Sequence, residues 1–154
     1  KNNGTFSSPI AIAKGLAPLA LIKKDMNNNG LQDLIFSSSK GDNIYMLFSR
    51  GDGTFDKEIT LSGGGGPFAL TAGHFNSDSQ IDIAVANSRS SNFSVVIRTT
   101  NESFQYPTRD YVVGGGTPLA ITSGDYNNDS MTDIAVASNA KNSIEIYLQR
   151  KIFK

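Results

Sequence analysis

The chain has 154 residues, and its fourteen Lys and Arg balance fourteen Asp and Glu to a formal net charge of zero. That length carries one compact core, and the balanced charge leaves no field to draw nucleic acid or an anionic membrane, so neither is expected as a partner. Cysteine is absent, which removes disulfide staples, thiol catalysis and zinc thiolate sites, and apolar runs such as "IYMLF" fall far short of the roughly 20 residues of a membrane-spanning helix.

In chain order, "SSPIAIAK" at 7–14 reads as a lone strand. From Pro18 a longer unit begins. "PLALIKKDMNNNGLQDLIFSS" returns as "PFALTAGHFNSDSQIDIAVAN" from Pro67 and as "PLAITSGDYNNDSMTDIAVAS" from Pro118, aligned without a gap. Within the first unit, "LALIK", "DLIFSS", "IYMLFS" and "EITLSG" are short runs rich in β-branched and aromatic residues, bounded by Gly, Asn, Asp and Ser, which is strand composition. None is long enough for a periodic amphipathic helix. Four strands in a repeat of about 50 residues describe a propeller blade, so the fold class is an all-β propeller of about three four-stranded blades.

The blades fall at 18–66, 67–116, and 117–154 plus 1–17. The third unit holds only three strands of its own, and the lone strand at 7–14 is expected to complete it. Three blades do not close a ring comfortably, because propellers have about four to eight. The options are two copies associating into six blades, which the complement of twelve strands favours, or a piece of a larger propeller. The glycine runs 63–66 and 114–116 precede no helix and no Lys-Ser pair, so they read as crossings between blades and not as phosphate cradles.

The chemistry lies in the loop after the first strand of each unit. The third loop places Asp125, Asn127, Asp129 and Asp133 at positions 1, 3, 5 and 9, with the backbone carbonyl of Met131 at position 7. The first supplies Asp25, Asn27, Asn29, the carbonyl of Leu31, and Asp33. Alternating hard oxygens suit calcium, which takes six to eight such ligands. An EF-hand shares this spacing but needs a Glu at position 12 and flanking helices. Position 12 is Phe36, Val85 or Val136, inside an apolar strand. The second loop offers Asn76, Asp78, Gln80 and Asp82 but begins at His74, and imidazole is a poor partner for calcium. Carboxylate count ranks the loops third, first, second. Asp and Asn also populate ordinary turns, and it is the threefold repetition that favours metal.

"GDYNNDSMTDIAVAS", with its glycine, aspartate, aromatic and Asn-rich loop before an apolar strand, and "GDGTF" at 51–55 resemble the FG-GAP repeats, also called VCBS-type repeats, of integrin α-chain heads. The resemblance covers nearly the whole chain. It implies a β-propeller with calcium in loops between the first two strands of a blade, an extracellular or cell-surface location, and a scaffold or recognition role more often than catalysis. The sequence departs at position 6, Gly30 in one loop but Ser79 and Ser130 in the others, where a left-handed backbone costs roughly 1 kcal/mol more than with glycine.

One histidine, no cysteine and only Glu58, Glu102 and Glu145 as glutamates leave little material for a catalytic constellation, so no enzyme is expected. The leading expectation is a calcium-bound binding or adhesion module whose protein or glycan ligand is not specified. The alternative is a propeller lectin holding a glycan between blades against Phe93, Tyr106 or Tyr111. A fragment of a propeller enzyme is the third. The sequons at Asn3, Asn92, Asn101 and Asn128 mean little in a chain so rich in Asn and Ser.

Overall fold

The computed structural model describes residues 4–99, 103–105 and 109–150. Tyr106, the sequons at Asn3 and Asn101, and the basic residues Lys151 and Lys154 lie outside the described residues. Within them the chain is all-β, with eleven antiparallel strands in three meanders. Sheet 1 runs β1 (Pro18–Lys24), β2 (Asp33–Ser38), β3 (Asn43–Leu47) and β4 (Ile59–Ser62). Sheet 2 repeats this order with β5 (Pro67–Gly73), β6 (Asp82–Asn87), β7 (Asn92–Val96) and β8 (Arg109–Val112). Sheet 3 has β9 (Pro118–Gly124), β10 (Asp133–Ser138) and β11 (Ser143–Tyr147).

Each repeat's first strand carries the same irregularity: the ladder slips between Pro18 and Leu21, between Pro67 and Ala69, and at the pairing of Pro118 with Ser138. A proline cannot donate to the ladder, so the slip falls where it enters. The first strands of neighbouring sheets lie side by side: Ser37 Oγ of β2 accepts the Ala20 N–H of β1 and donates to the Phe68 carbonyl of β5, and a 2.9 Å bond joins the Thr71 and Ser123 hydroxyls of β5 and β9. The glycine runs are the crossings the sequence suggests. Gly64 and Gly66 have φ of 91° and 72°, and Gly66 N–H donates to Asp42 Oδ1.

The sheets stack face to face in sequence order, and two cores result. Ile35, Ile44, Met46 and Phe48 of sheet 1 meet Leu70, Ile83, Val85 and Val96 of sheet 2, with Phe104 packed against them. The other face of sheet 2, through Ala84, Phe93, Val95 and Ile97, meets Ile121, Ile134 and Val136 of sheet 3. This explains why β6 ("DIAVAN") is buried at every residue whereas β11 alternates. A strand between two sheets reads as continuous apolar sequence, and one with a bare face does not.

The fourth strand of the third blade is a correction. Residues 7–14 form no strand, and β11 is an unpaired edge among the described residues. The segment lies instead over the outer face of sheet 1, where Ala13 and Leu16 pack on Phe36, Tyr45 and Leu47. Ser38 Oγ and Ser39 N–H donate to the carbonyls of Leu16 and Ala17. The cause is geometric: the segment leads directly into β1, and sheets 1 and 3 face opposite sides of sheet 2. It reaches its own first sheet and not the third.

Candidate functional site

The three Asx-rich loops sit at the same end of the three sheets, each between a repeat's first two strands. In the first, Asp25 accepts the backbone N–H of Asn29 (3.1 Å) and of Gly30 (2.8 Å). Asn27 Oδ1 accepts the same Asn29 N–H at 3.3 Å, and Asn29 Oδ1 accepts Leu31 N–H at 2.8 Å. The third loop repeats this atom for atom: Asp125 accepts from Asp129 and Ser130, Asn127 Oδ1 from Asp129, and Asp129 Oδ1 from Met131. Side chains at positions 1, 3 and 5 thus turn inward together, and the oxygens of positions 1 and 3 converge on a single N–H. The backbone allows it through left-handed residues at positions 4 and 6, Asn28 and Gly30 in one loop, Asn128 and Ser130 in the other. Ser130 takes the strained conformation despite its Cβ.

The second loop does otherwise. Ser77 and Ser79 are not left-handed, and position 1 is a histidine whose Nδ1 bonds to the Gln80 carbonyl at 2.8 Å. That carbonyl is the position-7 oxygen. Asn76 and Asp78 keep only the shorter turns, accepting from Asp78 and Gln80 N–H. Without a carboxylate at position 1, the N–H groups of positions 5 and 6 are not drawn to one side chain as they are by Asp25 and Asp125, and the loop takes another path.

The position-9 aspartates are a different device. Asp33, Asp82 and Asp133 are fully buried. Each clamps two backbone donors: the residue at loop position 2 (Met26, Phe75 or Tyr126) on Oδ2, and the residue just after the third strand (Ser49, Arg98 or Gln149) on Oδ1. Both oxygens of every clamp carry a backbone bond. Burial pushes the Asp82 carboxyl up, against the lowering pull of the Arg98 and Phe75 N–H groups. Exposed Asp125 shows the opposite balance, held below the usual carboxylate range chiefly by the Ser130 N–H.

Sequence reasoning missed Arg98. Its side chain is wholly buried, desolvation lowers its pKa, and the charges of Asp33, Asp25, Asp82 and Asp78 oppose that shift. A fixed cation therefore sits between the first two loops. The signal was present in "VVIRTT", where a charge ends an apolar strand, but the equivalent residues are Ser49 and Gln149, and the repeat comparison hides it.

Against calcium, the donor sets divide. Among the described residues no three Asp, Glu, His or Cys side chains cluster as a metal site, so ligation would rest on amide and backbone oxygens beside the carboxylates. The first and third loops fit, with Asp25, Asn27 and Asn29, or Asp125, Asn127 and Asp129, presenting only hard oxygens. The second does not fit, since His74 occupies both position 1 and the position-7 carbonyl.

Elsewhere, a cavity of about 460 Å³ opens between sheets 2 and 3, lined by Phe93, Ile97, Arg109, Tyr111, Tyr147 and Gln149 among others. Tyr111 stacks on Phe93 at 4.8 Å and Tyr147 meets it edge-on. Burial and the Glu145 carboxylate push the Tyr147 hydroxyl up to about 12. Phe104, partly buried, packs against the core between sheets 1 and 2.

A comparison with curated proteins finds no match. The family model for the FG-GAP-like repeat matches twice, over residues 25–85 and 74–136, each time starting at position 1 of a loop. With the repeats, their shared loop position and three antiparallel meanders in agreement, the chain belongs to the FG-GAP-like repeat family.

Proposed function

We propose that the chain is a calcium-stabilised propeller module with a binding, adhesion or scaffold role outside the cell, and not an enzyme. The observation that carries this reading is the convergence of two side-chain oxygens, from Asp25 and Asn27 or from Asp125 and Asn127, on one backbone N–H in each of two loops. A single N–H is a weak occupant for a carboxylate and an amide oxygen together, and a hard dication would draw them more strongly. Bound calcium would neutralise the loop carboxylates and fix the turn between a blade's first two strands. Asp25, Asn27, Asn29 and the Leu31 carbonyl would hold one ion, and Asp125, Asn127, Asp129 and the Met131 carbonyl another. Asp33 and Asp133 hold the loop ends in register.

Calorimetric titration should find two sites per chain, with Asp25→Asn and Asp125→Asn each removing one. At a calcium concentration a hundredfold above Kd at both sites, the melting temperature should rise by about 10–20 °C, and by about half as much in either single variant. No heat and no shift at millimolar calcium would reject the reading.

The cavity between sheets 2 and 3 favours a second reading, a glycan held between blades. Tyr111 is 41% exposed and offers a partly open ring face beside Arg109 and Gln149. A glycan array separates the two readings, since a scaffold role predicts no retained sugar.

A further inference from the structure

We infer that the cavity between sheets 2 and 3 binds a small organic carboxylate borne on a six-membered ring, its charge held by Arg109 and Arg150 and its ring against Tyr111. This specifies the chemistry of the cavity that the second reading above gives to a glycan, and it rests on that reading in that the cavity takes a ligand.

The internal repeat shows that Arg109 and Tyr111 do not serve packing. On β4 the residues in the same register are Ile59, paired to Met46, and Leu61, paired to Ile44. Both pack into the core between sheets 1 and 2. On β8 that register holds Arg109, paired to Val95, and Tyr111, paired to Phe93. Val95 and Phe93 face sheet 3, and their cross-strand partners share that face. A guanidinium and a phenol thus stand where the preceding repeat has two aliphatic side chains, and both remain exposed. A residue that breaks the packing pattern of its own repeat marks a functional position.

The charge around the cavity is one-sided. Arg109 comes from the sheet 2 wall and Arg150, just past β11, from the sheet 3 wall. Among the described residues no Asp or Glu lines the cavity, and neither guanidinium is in an ion pair. The neighbouring carboxylates are turned away or engaged. Asp110 alternates to the other face of β8, where it accepts Ser94 Oγ at 2.6 Å. Glu145 takes the Tyr147 hydroxyl and the N–H groups of Gly114 and Gly115. Guanidinium matches the two oxygens of a carboxylate, so a pair of them without counter-ions selects an anion.

The body of the ligand follows from the remaining walls. Phe93, Val95, Ile97 and Ile134 supply apolar surface, and Tyr111, stacked on Phe93 through one face, is 41% exposed. A ring lying along that aromatic surface brings its carboxylate to the arginines. Gln149 Oε1 already accepts the Thr132 N–H at 3.0 Å, so its amide offers donors, which again suit ligand oxygens. The volume of about 460 Å³ lies within the range of small-molecule sites.

An NMR titration of the isotope-labelled 154-residue chain tests this with two matched pairs: methyl glucuronide against methyl glucoside, and benzoate against benzyl alcohol. The acids should shift the amides of Arg109, Tyr111 and Gln149 with a Kd of about 1 mM, and their neutral partners should bind at least about tenfold more weakly. The tighter acid identifies the source as a sugar or an aromatic acid, and either supports the inference. Arg109→Gln and Arg150→Gln should each weaken the acid by about tenfold. Arg109→Ile/Tyr111→Leu, which restores the aliphatic pair of sheet 1, should abolish binding with an unchanged circular dichroism spectrum. Equal affinity for an acid and its neutral partner, or full affinity in both arginine variants, would overturn the inference and leave a cavity that binds neutral ligands. No shift with any of the four compounds at about 20 mM would reject the cavity as a ligand site altogether.

Discussion

Asp133 shows what a single side chain holds together in each repeat. Its two oxygens take the N–H of Tyr126 at 2.9 Å and of Gln149 at 2.8 Å, groups on opposite sides of the central strand of its sheet. Replacing it with alanine removes both acceptors at once. Each orphaned donor costs about 1–3 kcal/mol, toward the lower end where water can reach it. Both donors are half-buried, so Asp133→Ala should lose about 2–3 kcal/mol of stability in urea unfolding. Asp133→Asn keeps one acceptor oxygen and should lose roughly half as much. A loss below about 0.5 kcal/mol for the alanine variant would show that the clamp is incidental. The clamp also separates two jobs that the sequence spacing merges, because position 9 lies in the same polar run as positions 1, 3 and 5. Only coordinates reveal that it is buried with both oxygens engaged while the others stay at the surface.

At the level of strands and crossings, the glycines divide into those that need only a backbone and those that need space. Gly53 has φ of 88° with nothing near its Cβ direction, whereas at Gly64, with φ of 91°, a Cβ would lie 2.4 Å from Asn87 Nδ2. Asn87 is itself buried and donates to Asn92 Oδ1 and Ser94 Oγ, so it has nowhere to move. Gly53→Ala should cost about 1 kcal/mol from backbone strain alone. Gly64→Ala should cost about 3 kcal/mol, since steric insertion adds to the strain. Equal losses in denaturant titrations would mean that the crossing yields. The four strands of sheet 1 follow from local runs of β-branched and aromatic residues between turn formers, and the other seven, β8 ("RDYV") among them, from their places in the repeat. The strand expected at 7–14 has suitable composition too, but what it pairs with depends on which sheet it can reach. Its apolar residues find Phe36, Tyr45 and Leu47 first. In the loops, the shared path of the first and third was legible from their aspartates and asparagines. The capture of the Gln80 carbonyl by His74 was not, because it arises only when a missing carboxylate lets the backbone relax.

For the molecule as a whole, stability is approximately the sum of each sheet's own contribution and the interfaces it makes, and the two internal interfaces are unequal. Between sheets 1 and 2, Phe104 joins buried Ile35, Ile44, Met46 and Phe48, and Arg98 fills the space beside the loops. Between sheets 2 and 3 lies the cavity of about 460 Å³, and β11 is an unpaired edge of sheet 3 among the described residues. An unfilled space forfeits dispersion contacts on every wall, and an edge strand exposes its ladder to solvent. Opening should therefore begin at sheet 3. In native-state hydrogen exchange, amides of β10 and β11 should exchange at least about tenfold faster than those of β2, β3, β6 and β7, corresponding to an opening free energy lower by about 1.4 kcal/mol. Uniform protection across the three sheets would mean that the stack opens as one unit and that the cavity carries no energetic penalty.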